Sequence, residues 1–146
     1  MKGYLLDTNV LIALLWPSHA QHAPAMKWFA RHRSKGWASC PLTEASFVRI
    51  VSNPAFSRDA VTPREAAGLL AANTAAGDHL FWPDELPFAG AAAIAGPRLV
   101  GHQQVTDAYL LSLALTRGGV LATLDPRIAA LTLPKSAERK ALEIIS

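Results

Sequence analysis

The sequence predicts an α/β fold with a central, mainly parallel sheet, and two observations carry that prediction. Short β-like apolar runs alternate with segments whose apolar residues recur at helical spacing. Carboxylates stand where such runs stop and helices start, and α/β proteins place their sites at that edge of a parallel sheet. The 146 residues suit one domain, 1–146, with no room for two.

Tyr4-Leu5-Leu6 reads as the first strand and stops at Asp7. A helix is expected from Asn9 to Trp16, with Val10, Leu11, Leu14 and Leu15 on its apolar face, and Pro17 ends it. A second helix is expected from about His22 to His32, burying Met26 and Phe29, with Gly36 closing the unit. Trp37 to Cys40 reads as a strand and Thr43 to Ser52 as a helix that stops before Pro54. At Thr62-Pro63-Arg64-Glu65, Thr62 caps a helix, Pro63 takes its first position and Glu65 closes a capping box. That helix runs towards Gly77, and His79 to Trp82 follows as a strand.

Pro83 to Val100 is dominated by Pro, Gly and Ala and reads only as far as one short helix. Gln104 to Arg117 is the clearest helix of the chain, with Ala108, Leu111 and Leu115 on one face and Gly118-Gly119 as its stop. Val120 to Thr123 reads as a strand, Pro126 to Leu131 as a short helix, and Leu142 to Ile145 as a last strand.

Composition narrows the function classes. Hydrophobic residues at 51% against 17% charged suit a packed core and exclude a disordered chain. Cys40 is the only cysteine, so an internal disulfide and a thiolate zinc cage are both excluded. Asp7 and Asn9 interrupt the apolar start, which does not read as a secretory signal. The alanine-rich run from Ala89 to Ala95 lies between Pro87 and Pro97 and is too short to span a bilayer. A cytoplasmic protein is expected. The net charge of +3 suits a polyanionic partner but does not single one out.

Only 11 residues are acidic, so their placement is informative. Asp7 and Asp125 each end a strand and precede a helix, Glu44 opens the helix after the second strand, and Asp107 lies near the start of the long helix. On a parallel sheet these four are expected to converge at one edge. Two like charges at ~4 Å repel by about 4 kcal/mol at a surface-like dielectric, so such a cluster needs a counter-charge. All-oxygen donors favour Mg²⁺ or Mn²⁺ over zinc. Ions of this kind polarise a phosphodiester and activate water. Each carboxylate also has a plainer role: Asp7 and Asp125 as helix caps, Glu44 as a solvated residue, Asp107 as a partner of the helix dipole.

Leu5-Leu6-Asp7-Thr8-Asn9-Val10-Leu11 resembles the opening motif of PIN domains. Thr43-Glu44 with Phe47-Val48-Arg49-Ile50 resembles their second acidic motif, Val105-Thr106-Asp107-Ala108-Tyr109 with Leu113-Ala114 the third, and Leu121-Ala122-Thr123-Leu124-Asp125 the fourth. Each motif alone is weak, but four in order over nearly the whole chain are specific. The resemblance implies a three-layer α/β/α sandwich that binds Mg²⁺ or Mn²⁺. Asp7, Glu44, Asp107 and Asp125 would be the catalytic set. Asp7 and Asp107 would be metal ligands, Glu44 and Asp125 would act through water, and Thr8, Asn9 and Thr123 would support the site. The best-matching subgroup is the VapC-like toxins, which implies a metal-dependent endoribonuclease acting on RNA, a cognate VapB-like antitoxin and a homodimer.

The alternative is a catalytically inactive PIN-fold module that holds RNA or protein. A phosphotransfer protein with Asp7 as nucleophile is disfavoured: Asn9 stands where a second aspartate would be expected, and no Gly-rich phosphate loop is present. Arg49, Arg98 and His102 are candidate RNA contacts, each with a surface or structural role as the competing reading. Phe56, Leu69 and Leu70 exceed the obvious core share and are candidates for a dimer interface.

Overall fold

The structure is a computed structural model describing residues 1–146. Its centre is a five-stranded sheet of β1 (Tyr4–Leu6), β2 (Trp37–Ser39), β3 (His79–Phe81), β4 (Val120–Thr123) and β5 (Leu142–Ile144). The spatial order is β3-β2-β1-β4-β5, and every pairing is parallel. The chain starts in the middle, moves outward to β3, then returns to the other side of β1. The strand order therefore reverses between β1 and β4, and the crevice at such a reversal is where open α/β sheets bind ligands.

Strand alternation sends successive side chains to opposite faces and builds two cores. Leu5, Ala38, Leu121 and Leu142 face a core shared with α5 (Phe88–Ala95) and α6 (Val105–Thr116), which Ala141, just after α7 (Ala137–Lys140), also joins. Tyr4, Leu6, Trp37 and Ala122 face the other core, shared with α1 (Thr8–Leu15), α2 (His22–His32), α3 (Pro41–Val51) and α4 (Pro63–Thr74). The result is the three-layer α/β/α sandwich.

Where boundaries differ from the sequence expectation, local chemistry explains the shift. α1 starts at Thr8 because Asp7 caps it, accepting the Thr8 N–H at 2.8 Å. α3 starts at Pro41, two residues earlier than expected. Proline suits the first helical position, and the Thr43 hydroxyl folds back to accept from the Cys40 N–H at 3.1 Å. Residues 126–131 form a 3₁₀ helix. The Pro83–Val100 stretch contains α5, whose small residues let α6 approach closely: the buried Ser112 hydroxyl donates to the Ala91 carbonyl at 3.0 Å. α7 is four residues long, too short for a periodic signal, and is capped by Ser136.

Two expectations about burial are corrected. Met26 is 44% exposed, and Ala25 is the buried residue of α2. Phe56, Leu69 and Leu70 pack into the α1–α4 core, so they are not spare interface material. Cys40 is buried, and burial pushes its thiol up to about 11, which leaves it inert at neutral pH. No helix is long and apolar enough to cross a membrane.

Gly119 joins α6 to β4 at a point without room for a side chain. A Cβ there would lie 2.6 Å from the Gly3 carbonyl oxygen and 2.6 Å from the Trp82 ring. Gly119→Ala is predicted to destabilise the fold by about 1–3 kcal/mol through overpacking. A urea denaturation midpoint equal to wild type would show that the crossover has slack.

Candidate active site

Asp7 lies at the end of β1 and is only 7% exposed. Its Oδ1 accepts from the Thr8 N–H at 2.8 Å, and its Oδ2 accepts from the Thr123 hydroxyl at 2.8 Å and the Asn9 amide at 3.4 Å. Thr123 Oγ1 accepts in turn from Asn9 Nδ2 at 3.2 Å and from the Asp125 N–H at 3.1 Å. Asn9 Oδ1 accepts from the Leu124 N–H at 3.1 Å. This network ties the end of β1 to the end of β4 across the topological reversal. Burial raises the Asp7 pKa, the Thr123 and Thr8 bonds oppose that, and the Asp125 charge adds to it. Thr8 contributes through its backbone, whereas Asn9 and Thr123 contribute side chains.

Asp107 projects from the first turn of α6. Burial, then the charges of Asp7 and Asp125, push its pKa up to about 6, and Arg127 pulls against them. No salt bridge reaches it. Asp125 caps the following 3₁₀ helix and is gripped by the Arg127 guanidinium, with Nη2–Oδ2 at 2.9 Å and Nε–Oδ1 at 3.0 Å. Arg127 therefore holds the Asp125 carboxyl below the usual carboxylate range. A cleft of about 540 Å³ opens here, lined by Gln103, Gln104, Asp107, Asp125, Arg127 and Ile128 among others.

Glu44 stands apart from these three aspartates. Its Oε2 accepts from the Ser39 hydroxyl at 2.6 Å, and Ser39 also contacts His79 Nε2 at 2.8 Å. Strand alternation explains the separation. Ser39 shares the face of Trp37, towards α1–α4, whereas Asp107 is carried by α6 on the opposite face. The acidic residues acting on Asp107 are Asp7 and Asp125, and Glu44 is not among them.

The candidate RNA contacts also scatter. Arg98 is built into the fold: its guanidinium donates to the Leu131 and Ile94 carbonyls at 2.9 and 3.1 Å and pairs with Glu138 at 3.4 Å. Its place is structural, not in the cleft. Arg49 lines a groove between α3 and α4 together with Glu44. His102 is exposed, but its neighbours Gln103 and Gln104 line the cleft. Arg127 is the cation at the site. The sequence signal for it was its position two residues after Asp125, at the start of a helix.

Asp7, Asp107 and Asp125 are hard oxygen donors whose charges oppose one another, a chemistry that fits a hard divalent cation. As they stand, no three His, Cys, Asp or Glu side chains are close enough to clasp one ion.

A parallel sheet with aspartates gathered at its reversal point defines an α/β protein with an acidic centre. The PIN domain family model matches residues 4–132, and the chain belongs to that family. It is 46% identical over 125 residues to Ribonuclease VapC39 of Mycobacterium tuberculosis, covering 86% of this chain and 90% of that protein. It is 40% identical over 142 residues to Ribonuclease VapC38 of the same species, covering 97% of each chain. It is also 44% identical over 125 residues to Ribonuclease VapC29, covering 86% of this chain and 87% of that protein.

The raised Asp107 pKa yields a stability prediction with a definite sign. The folded state holds the proton up to about 6, against an ordinary aspartate value of 3.8, so ionisation penalises folding. The penalty is absent well below pH 4, grows between about 4 and 6, and is complete above 6. With the group half-exposed and screened by solvent, the penalty is about 1 kcal/mol. Asp107→Asn is predicted to raise Tm at pH 7 by about 2–4 °C and to change it little at pH 4. A melting curve at pH 7 that matches or falls below wild type would contradict this.

Proposed function

We propose that this protein is a Mg²⁺- or Mn²⁺-dependent endoribonuclease, the toxin of a toxin–antitoxin pair. The observation that carries the reading is the placement of Asp7, Asp107 and Asp125 about the ends of β1 and β4, with Arg127 as the cation beside them. The ribonuclease names of relatives at 38–46% identity support the same conclusion.

In this reading Asp7 and Asp107 would hold the ion, and Asp125 and Glu44 would contribute through water. When bound, the ion polarises the scissile phosphodiester and lowers the pKa of an attacking water. Thr123 and Asn9 hold the Asp7 carboxylate in one orientation through the network at the end of β4. Arg127, with an 83% exposed side chain beside Asp125, would present its guanidinium to an RNA phosphate. Gln103 and Gln104 offer neutral donors along the wall of the cleft. A VapB-like antitoxin, a homodimer and a cytoplasmic location belong to the same proposal. The exposed Phe81, Phe88 and Val105 support the existence of a partner surface.

The test is cleavage of RNA by the purified protein. Cleavage is expected with Mg²⁺ or Mn²⁺ and not with EDTA. Asp7→Asn is predicted to lower the rate at least about 100-fold, and Thr123→Val, which removes only the orienting hydroxyl, by about 10–100-fold. Cleavage that persists in EDTA, or in Asp7→Asn, would remove the metal mechanism. RNA binding without cleavage, and no divalent-ion heat by calorimetry, would establish the inactive binding module instead.

A further inference from the structure

Ser39 is fully buried, yet its hydroxyl stands between two chemically active side chains, Glu44 at 2.6 Å and His79 at 2.8 Å. The direction of each bond follows from proton counting. An ionised carboxylate only accepts, and a serine has one proton to give. Ser39 therefore donates to Glu44, and the remaining bond must run from His79 Nε2–H to Ser39 Oγ. His79 Nε2 therefore carries the proton of that bond, while the ring's other hydrogen-bond partner is the Thr74 backbone, which favours the protonated ring. Hydrogen bonds aligned in one direction polarise one another, so His79 strengthens the bond that Ser39 gives to Glu44.

Two consecutive elements and a third forty residues on build this relay. Ser39 lies on β2, Glu44 in the first turn of α3, and His79 at the start of β3. The β2–β3 register sets His79 opposite Trp37, two residues before Ser39 and on the same face, and the two rings lie 4.6 Å apart. The half-buried imidazole thus packs against the Trp37 ring and meets the Thr74 backbone. The relay ends at the C-terminal edge of β2, the strand that neighbours β1 and Asp7.

We infer that Ser39 and His79 are positioning residues for Glu44, fixing the fourth carboxylate one strand away from Asp7. The inference rests on the nuclease reading, in which Glu44 belongs to the acidic set. Without Ser39 the Glu44 side chain, with its three rotatable torsions, loses its fixed donor and samples positions in which it no longer serves the site.

Nitrogen-15 NMR of the imidazole reads the geometry directly. His79 Nε2 is expected to be protonated in wild type and to lose that preference in Ser39→Ala. Activity in Mn²⁺ reads the consequence. Ser39→Ala and Glu44→Gln should each lower kcat by about 10-fold with an unchanged KM for RNA. The double variant should be no slower than the slower single one, because the residues act as one unit. His79→Gln keeps an N–H donor and should outperform His79→Leu, which tests the relay without disturbing the buried serine. Additive losses in the double variant, an unprotonated His79 Nε2 in wild type, or a folded Ser39→Ala with full kcat would overturn the inference alone. A wild-type protein inert on RNA with Mn²⁺ would overturn the nuclease reading and this inference with it.

Discussion

The buried carboxylate of Asp7 is the constraint around which the rest of the site is arranged. An ionised group at the end of a central strand is costly unless polar neighbours surround it. Here Thr8 and Asn9 supply donors from the start of α1, and the sheet topology brings a third, Thr123, from the end of β4. The network acts twice. It makes the charge tolerable, and it adds side-chain bonds to the backbone pairing of β1 with β4 at the reversal, where the Asp7 N–H already donates to the Ala122 carbonyl at 2.9 Å. Because Thr123 accepts from the Asp125 backbone while donating to Asp7, two acidic residues 118 positions apart are held in register by one hydroxyl.

The three aspartates meet their charge in different ways. Asp7 is satisfied by hydrogen bonds, Asp125 by a guanidinium, and Asp107 by neither. That imbalance is a better functional marker than burial alone, since perturbed carboxyl groups gathered in a cleft are candidates for a site. It also sets a stability–function conflict. Neutralising Asp107 would relieve the folded state, while the same negative charge is what gives the cleft its affinity for a cation.

Much of the fold was legible because its signals are local. Thr62-Pro63 with Glu65 marks a helix start by capping chemistry that needs no tertiary context: the Glu65 N–H donates to Thr62 Oγ1 at 3.1 Å. Asp7 at a strand end and Gly118-Gly119 after a helix are signals of the same kind. What was not legible depends on distant packing. Met26 and Ala25 are neighbours in sequence, and only the docking of α2 on the sheet decides which one is buried. Phe56 was read as surplus because its partner Trp16, with ring centroids 5.2 Å apart, lies forty residues upstream. Arg98 and Arg127 look alike in sequence, yet one is bonded to the carbonyls of Leu131 and Ile94 and the other faces the cleft.

Glu44 shows most clearly how a correct motif can leave geometry undetermined. Its motif delivers it to the C-terminal edge of the sheet, as Asp107 is delivered. That edge has two sides, however, and a strand's two-residue alternation decides which side a neighbouring helix addresses. α6 approaches from the face of Leu5 and Leu121, and it carries Asp107 into the cleft with Asp125. α3 buries Phe47 and Val51 on the other face, which leaves Glu44 beside Ser39. Spacing along the chain specifies the edge. The side is set by which residues of each helix are apolar, and a carboxylate on a flexible stem then takes the nearest donor. For Glu44 that donor is a buried serine whose own acceptor site is filled by histidine, so the fourth acidic position is governed by β2 and β3 rather than by the strands that hold the other three.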